Sequence, residues 1–395
     1  MSRSRIVFFL ASALLVFPML ADTLLRAAER TDKPTAEDDS FYKYLSVFTE
    51  VLGLVRQTYV DQPDMDTLIS GALDGTTDAL DPFSIYVPAG QVRGYLEARD
   101  VSRRQTGMVM LKEHGIAYVV AVEKGSPADG AKIKAGDIVA KVGGRTTRTM
   151  PLWEMQEALA VKPGTKIDLE LIRLGEAVPT SLTLTSFEPP AASLSEYEGA
   201  PVLRIPGFDK NTAAQVRSTL QSSGDKVRRG LVIDLRGVTS GDAEAAYDVA
   251  RLFANGDLGM LKQRGKDLET YDAKDKPVWQ GKVVVLVDRS TLGASEVLAT
   301  VLRQKIKAEL VGERTFGHAG RLATAQLSTG GQLIYTDAFY TGPDHEPIQE
   351  SLKPDLLIDE RSRSYLEKDV PMGDLILQRG VRRLLGGDTE TAKAA

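Results

Sequence analysis

The sequence predicts a multidomain α/β protein, and three observations support this fold class. Strand patterns alternate with helical patterns from about residue 200 onward, which is typical of βα units that build a mostly parallel sheet. A separate set of strands and glycine-containing turns precedes that region, and residues 41–80 have the spacing of amphipathic helices. The 395 residues are enough for two or three domains with hydrophobic cores.

The composition excludes several classes of function. A net charge of −5 gives no reason to expect nucleic-acid binding. The chain contains no cysteine and therefore no disulfide, thiolate metal site or lipid-anchored cysteine. The three histidines, His114, His318 and His345, do not have the spacing of metal ligands. We therefore predict no metal and no cofactor.

The N-terminal segment has the pattern of an export signal. Arg3 and Arg5 precede an apolar run over residues 6–21. That run is short for a membrane span and lacks a good cleavage site, so residues 1–28 are either a signal peptide or a signal anchor. The polar residues 29–40 are predicted to be a linker. We expect an exported protein, periplasmic or anchored to the outer face of the inner membrane, with membrane contact only through this segment.

Residues 41–95 are predicted to form an N-terminal helical region. Apolar residues recur at three- and four-residue steps between positions 45 and 59, which gives one apolar stripe. A second helix is expected over about residues 66–80. The sequence D-P at positions 81–82 then initiates a tight turn.

Residues 96–188 resemble a PDZ domain. The pattern S-P-A at 126–128, followed by A-G-D at 135–137, is similar to the PDZ pattern S-P-A…A-G-L-x-x-G-D, and a helix is expected over 153–160. A PDZ groove adds a peptide strand to a sheet edge while backbone N–H groups hold the terminal carboxylate. The resemblance implies binding of protein C-terminal tails or of a partner protein, unless the groove packs only against this chain. The predicted peptide-binding residues are Gly107, Met108, Val109, Met110, Met155 and Leu159.

The core domain is predicted over residues 189–365, and its main feature is a strand that turns into a helix. Residues 283–287 are five consecutive aliphatic side chains, as expected for a strand buried on both faces. Enzymes often place a nucleophile where such a strand turns sharply into a helix. Gly293 lies at this turn and has no side chain. A glycine is also a fair N-cap, with Glu296 at the N3 position of a capping box.

This turn resembles that of the carboxyl-terminal processing peptidases, also called tail-specific proteases. Their turn is similar to V-N-E-G-S-A-S-A-S-E, with the middle serine as nucleophile. A lysine 25 residues later, in T-F-G-K-G, is their general base, and a glutamine four residues further on orients it. Without a gap, these positions correspond to Gly293, His318 and Leu322. The flanking matches A-S-E at 294–296 and T-F-G at 315–317 support that alignment.

The oxyanion-binding turn of the family also differs here. The family continues L-V-I-D-L-R with N-N-P-G-G, whose backbone N–H groups bind the oxyanion. This chain has L-V-I-D-L-R at 231–236 but then G-V-T-S-G. The equivalent positions are therefore Ser240 and Gly241.

The resemblance covers residues 41–358, including L-D-P-F-S-I-Y-V at 80–87 beside the family's L-D-P-H-S-x-Y-L. It implies a crotonase-like α/β core with the PDZ domain inserted near its start. Residues 366–395 are expected to be a C-terminal helix and tail. The oligomeric state stays open between a monomer and a homo-oligomer, although family members commonly assemble through their helical ends.

Three functions follow from these observations. Ser–Lys catalysis needs a hydroxyl activated by a neutral amine, and neither group is present at its position. The first hypothesis is therefore an exported, proteolytically inactive member of the family that binds protein C-termini or a partner. The second is an active serine endopeptidase that cleaves C-terminal tails with a displaced nucleophile, using Ser290 or Ser295 with His318 and Asp288. The third is a ligand-binding scaffold.

Overall fold

The structure is a computed structural model that describes residues 36–188, 190–227, 230–239, 241–359 and 373–386. The predicted signal segment and the last nine residues lie outside the described residues. Within the described ranges, no helix has the length and apolar character needed to cross a lipid bilayer.

Contacts divide the chain into two units, residues 1–71 and residues 72–395. Helix α1 (Ala36–Thr58) belongs to the first unit. Helix α2 (Met65–Asp78) begins in the first unit and ends in the second. Helix α1 begins five residues before the start predicted for the helical region, so part of the predicted linker is helical.

The predicted PDZ domain is an antiparallel sheet with strand order β2-β3-β4-β6-β7, and β5 pairs with β4. Helix α3 leads into it and ends at Gly107, where φ is 66°. A Cβ atom at Gly107 would overlap the side chain of Ser126, so only glycine fits this turn. The elements are α3 (Val92–Thr106), β2 (Met108–Glu113), β3 (Ile116–Val122), α4 (Pro127–Gly130), β4 (Ile138–Val142), β5 (Arg145–Thr146), α5 (Leu152–Ala158), β6 (Lys166–Arg173) and β7 (Glu176–Thr183).

The core domain is built on a six-stranded sheet of order β17-β14-β13-β10-β9-β8. All neighbouring strands are parallel except β8, which is antiparallel to β9. The strands are β8 (Ser193–Tyr197), β9 (Ala200–Arg204), β10 (Leu231–Asp234), β13 (Val283–Val287), β14 (Glu309–Gly312) and β17 (Leu356–Leu357). The predicted α/β architecture with a mostly parallel sheet is confirmed.

Helices cover both faces of this sheet, which explains the uninterrupted aliphatic run of β13. Val283, Val285 and Val287 pack in the cluster that contains α7 and α8, whereas Val284 and Leu286 pack in the cluster that contains α9. Alternate side chains of a strand point to opposite faces, so both sets must be apolar. The helices are α6 (Thr212–Ser223), α7 (Ala243–Ala250), α8 (Ala294–Ile306) and α9 (Leu375–Leu385).

A second, antiparallel sheet was not predicted. Its order is β1-β16-β11-β12, and β15 pairs with β16. Its strands are β1 (Ile85–Val87), β11 (Gly256–Gln263), β12 (Lys266–Ala273), β15 (Gly320–Gln326) and β16 (Gln332–Tyr340). The pairing of Ile85 with Ile334 joins the segment before the predicted PDZ domain to the end of the core. The PDZ-like sheet is therefore an insertion near the start of the core.

Candidate active site

The turn between β13 and α8 has the shape of a nucleophile elbow without a nucleophile. Gly293 has φ 67° and ψ −117°, a conformation that strains any residue with a side chain. A Cβ atom built at Gly293 would have one neighbour within 4 Å, the backbone oxygen of His318 at 3.9 Å. Space for a side chain is therefore present at the position where the family resemblance expects serine.

The carboxylate of Asp288 fixes the start of this turn. It accepts hydrogen bonds from the backbone N–H groups of Gly237 and Ser290 and from the Thr291 hydroxyl, each at 3.0 Å. Burial raises the pKa of Asp288, and the hydrogen bonds from Gly237 and Thr291 oppose the rise. Asp288 is therefore engaged in holding the turn, and among the described residues its carboxylate makes no hydrogen bond with His318.

The buried carboxylate of Glu296 joins the glycine turn to the segment of the expected base. One oxygen accepts from the N–H groups of Gly293 at 3.0 Å and His318 at 2.9 Å. The other accepts from the N–H of Gly317 at 2.6 Å and from the hydroxyl of Thr315. Burial raises the pKa of Glu296, and the four hydrogen bonds oppose that rise. The hydrogen bond from the Gly293 N–H to the Glu296 carboxylate, which the capping-box prediction expects, is present.

The imidazole of His318 is packed between aromatic rings. It stacks on Phe83 with ring centroids 4.3 Å apart and meets Phe339 edge-on at 5.2 Å. Its Nε2 atom lies 3.2 Å from the Thr336 hydroxyl. Burial lowers the pKa of His318, and the charge of Asp81 opposes this shift. The ring is therefore favoured in its neutral form, and its Nε2 atom contacts Thr336 of β16 rather than a residue of the turn between β13 and α8.

Leu322 lies close to His318, as the resemblance implies for the orienting residue. The strand register pairs Leu322 with Thr336, whose hydroxyl contacts His318. The Leu322 side chain is 48% exposed and has no polar atom to orient a base. The structure thus brings positions 293, 318 and 322 together, but their side chains cannot form a Ser–Lys–Gln constellation.

The serines proposed as displaced nucleophiles are both buried and hydrogen-bonded elsewhere. The Ser290 hydroxyl donates to the backbone oxygen of Val120 in β3 at 2.5 Å. The Ser295 hydroxyl lies 2.8 Å from the oxygen of Val238 and accepts from the N–H of Leu292 at 2.9 Å. Within the described part of the chain, neither hydroxyl is hydrogen-bonded to His318. The geometry gives no support to a triad built on either serine.

Of the two oxyanion-equivalent residues, Ser240 lies outside the described residues. Gly241 has φ 126° and forms a parallel bridge with Phe208. A Cβ atom at Gly241 would overlap the backbone of Phe208, so a glycine is required there. An oxyanion-binding role for these residues stays a prediction.

The predicted peptide-binding residues lie at the edge of the PDZ-like sheet. Gly107 directly precedes β2, which contains Met108, Val109 and Met110 and which has β3 as its only strand neighbour among the described residues. Met108, Met110, Met155 and Leu159 are buried in the domain core. Phe83 and Phe316 pack against this same core. The domain therefore contacts the candidate site, while peptide binding by these residues stays a prediction.

Two features of the site were not predicted from the sequence. The role of Phe83 was not foreseen, although it is the departure from histidine in the family's L-D-P-H-S pattern. The three hydrogen bonds that Glu296 accepts from Thr315, Gly317 and His318 were also missed, because only its bond from Gly293 is local in sequence. Among the described residues, no group of three acidic or histidine side chains is placed to hold a metal ion.

Comparisons with known families identify both domains. Residues 200–358 match peptidase family S41, and residues 118–173 match the PDZ domain family. The chain is 28% identical over 325 residues to the carboxy-terminal processing protease CtpA of Bacillus subtilis, covering 80% of this chain and 70% of that protein. It is 25% identical over 402 residues to the carboxy-terminal-processing protease of Bartonella bacilliformis, covering 99% of this chain and 91% of that protein.

Solved structures show the same fold. The photosystem II D1 C-terminal processing protease superposes with a TM-score of 0.66 at 24% identity, covering 85% of this chain and 90% of that chain. An S41 protease of Bacteroides fragilis superposes with a TM-score of 0.50 at 17% identity, covering 85% of this chain and 96% of that chain. At these identities the likeness concerns the fold, and function must be argued from the side chains of the site.

Proposed function

Because this chain belongs to the carboxyl-terminal processing peptidases of family S41, we propose that it is a proteolytically inactive member that binds polypeptides without cleaving them. The observation that carries the proposal is Gly293 at the elbow between β13 and α8. Acyl transfer by a serine peptidase requires a hydroxyl at this point, and glycine cannot form a covalent intermediate.

The base position supports the same proposal. A lysine base works as a neutral amine placed beside the serine hydroxyl. Here the His318 ring is stacked on Phe83, and its Nε2 atom contacts Thr336. A His318 ring held in this way is part of the packing between three segments of the chain.

The binding part of the proposal rests on the PDZ domain, residues 118–173 of which match that family. Strand β2 has one open edge among the described residues, which is the edge that PDZ domains offer to a peptide. We therefore infer that protein C-termini or a partner protein bind there.

We further propose that the chain is exported through its N-terminal segment. A C-terminal alkaline phosphatase fusion should be active in intact cells, and an inactive fusion would refute export.

The experiment is cleavage of an unfolded protein such as reduced casein, followed by mass spectrometry. Wild type is compared with a variant that carries Gly293→Ser, His318→Lys and Leu322→Gln. A second variant adds Phe83→His, which restores the family residue and removes the ring that now stacks on position 318. We expect no cleavage by wild type and cleavage by at least one variant. Cleavage by wild type that a Ser290→Ala or Ser295→Ala change abolishes would refute the proposal.

A further inference from the structure

The backbone groups at the start of β2 determine which kind of polypeptide the PDZ domain can take. A PDZ domain holds a C-terminal carboxylate with the N–H groups of the loop before its peptide-binding strand. The family resemblance places that loop at Gly107 and Met108. A carboxylate bound there needs N–H donors that have no other partner, because an ionised group without donors is costly to remove from water.

The N–H groups of Gly107 and Met108 already donate hydrogen bonds within the chain. The N–H of Gly107 donates to the oxygen of Arg103 at 2.7 Å, which is the bond that ends α3. The N–H of Met108 donates to the hydroxyl oxygen of Thr106 at 3.2 Å. That hydroxyl in turn donates to the oxygen of Ser102 at 2.8 Å. The loop therefore offers neither of these N–H groups to a carboxylate.

The same loop is covered by another part of the chain. Residues 106–108 are all buried. The N–H of Phe187 donates to the oxygen of Arg104 at 2.7 Å. The N–H of Thr185 donates to the oxygen of Gln105 at 3.3 Å. The segment that leaves the PDZ-like sheet therefore lies against the end of α3, and a terminal carboxylate would have to displace contacts that the chain makes with itself.

The charges beside the loop do not favour a carboxylate either. Arg103 forms an ion pair with Glu123 in which the nitrogen and oxygen are 2.6 Å apart. The N–H of Glu123 donates to the oxygen of Gly107 at 2.7 Å, so this acidic residue lies directly beside the loop. Its charge neutralises Arg103 and would repel a second carboxylate. Arg104, the other basic residue of this helix turn, is exposed, and solvent weakens any attraction of its charge for a carboxylate.

Beyond the loop, β2 keeps backbone groups that can pair with an extended chain. Met110 lies opposite Val119 of β3 in the strand register. Val119 is hydrogen-bonded on its other side, because its N–H donates to the oxygen of Asp137 at 2.8 Å and its oxygen accepts from the N–H of Gly136 at 2.7 Å. The backbone N–H and oxygen of Met110 therefore point away from β3, toward the open edge of the sheet. A peptide strand can pair there without any terminal carboxylate.

We propose that the PDZ domain of this chain binds internal segments of extended polypeptides and does not recognise a C-terminal carboxylate. The ligand adds a strand to β2 through main-chain hydrogen bonds at Met110. An internal segment has no terminal charge that would need the N–H groups of Gly107 and Met108. This inference rests on the proposed function and narrows its two candidate ligands, protein C-termini and a partner protein, to an internal segment of a partner.

The test selects phage-displayed random segments about ten residues long on the immobilised full-length protein. One library ends each segment with a free C-terminus, and the other continues each segment into a fixed glycine-serine tail. We expect binders with the same consensus from both libraries. The best binder of the tailed library is then synthesised as free acid and as amide, and the two affinities should agree within about twofold. With either peptide, amide hydrogen exchange should slow over residues 109–113 and stay unchanged over residues 104–108.

Arg104→Gln should leave both affinities unchanged, as should the matched control Arg217→Gln, which removes an exposed arginine of α6. Binders from the free C-terminus library alone, or an acid that binds about tenfold more tightly than its amide, would overturn the inference. A preference for the acid that only Arg104→Gln removes would assign the carboxylate to that arginine. These results would leave the proposed function standing with C-termini as its ligands. Failure of both libraries would overturn the inference together with the binding part of the proposed function, whereas cleavage of casein by wild type would overturn only its inactivity.

Discussion

Replacing Glu296 with alanine should release the glycine turn from the segment that contains His318. The wild-type carboxylate is fully buried and accepts three backbone N–H bonds and one hydroxyl bond. Each buried donor left without a partner costs about 1–3 kcal/mol. The N–H groups of Gly293, Gly317 and His318 cannot rotate toward other acceptors, so we expect a total loss of about 4 kcal/mol.

The assay combines thermal unfolding with amide hydrogen exchange. For a chain of this size, a loss of about 4 kcal/mol lowers the melting temperature by roughly 10 °C. Exchange should accelerate in peptides that cover residues 291–298 and 314–320, while the PDZ-like sheet keeps its protection. The control Glu170→Gln removes a half-exposed ion pair with Lys141 and should cost less than about 1 kcal/mol. A Glu296→Ala protein that melts within about 2 °C of wild type would refute the reasoning.

Three further predictions concern single side chains. Gly293→Ala should fold, because its Cβ meets no atom closer than 3.9 Å. Backbone strain should lower its free energy of unfolding by about 1–3 kcal/mol, measured by thermal unfolding. An unchanged or higher melting temperature would contradict the φ of 67° at this position. Burial raises the pKa of the Asp74 carboxyl from 3.8 to about 6. The stability contributed by protonated Asp74 is therefore lost as the pH rises through the range between these two values. Asp74→Asn should therefore melt higher than wild type at pH 7.5, with a difference that vanishes toward pH 4; equal melting temperatures at pH 7.5 would exclude the raised pKa. Burial lowers the pKa of His318. The contribution of the neutral ring to folding stability is therefore complete above the unfolded-state pKa of about 6.5 and is lost as the pH falls below it. Between pH 7.5 and pH 5 the melting temperature of wild type should fall more than that of His318→Phe, and an equal fall in both proteins would argue against a buried neutral ring.

The parallel core sheet could be predicted because its strands are specified locally. The five aliphatic residues of β13 fit one arrangement, a strand covered on both faces. The turn after it was also readable, because Gly293 and Glu296 keep the spacing of a helix N-terminus. Local pattern and tertiary structure agree in this region, and the fold there is therefore readable from the sequence.

The antiparallel sheet could not be predicted, because its strands depend on distant partners. Strands β12 and β15 are largely exposed or half-buried and carry no continuous apolar run. Strand β1 has three residues, and its partner β16 is some 250 residues away in the chain. Strand propensity depends on the neighbouring strands, which a single sequence does not reveal.

The residues at the candidate site could be named from the sequence, but the side chains that pack around them could not. The resemblance to the processing peptidases implied that Gly293 and His318 lie together, and the structure joins their segments through Glu296. The stacking of His318 on Phe83 depends on a contact between segments 235 positions apart. The departure of Phe83 from the family histidine was visible, but its meaning required the three-dimensional structure.

The most direct test of an inactive elbow is labelling with a serine-reactive fluorophosphonate, read out by intact mass and peptide mapping. The wild type is compared with the Gly293→Ser/His318→Lys/Leu322→Gln variant that also carries Phe83→His. We predict an unchanged mass for wild type and a single adduct at position 293 in the variant, because only the variant places an activated hydroxyl at the elbow. A stoichiometric adduct on any serine of the wild-type protein would contradict the account.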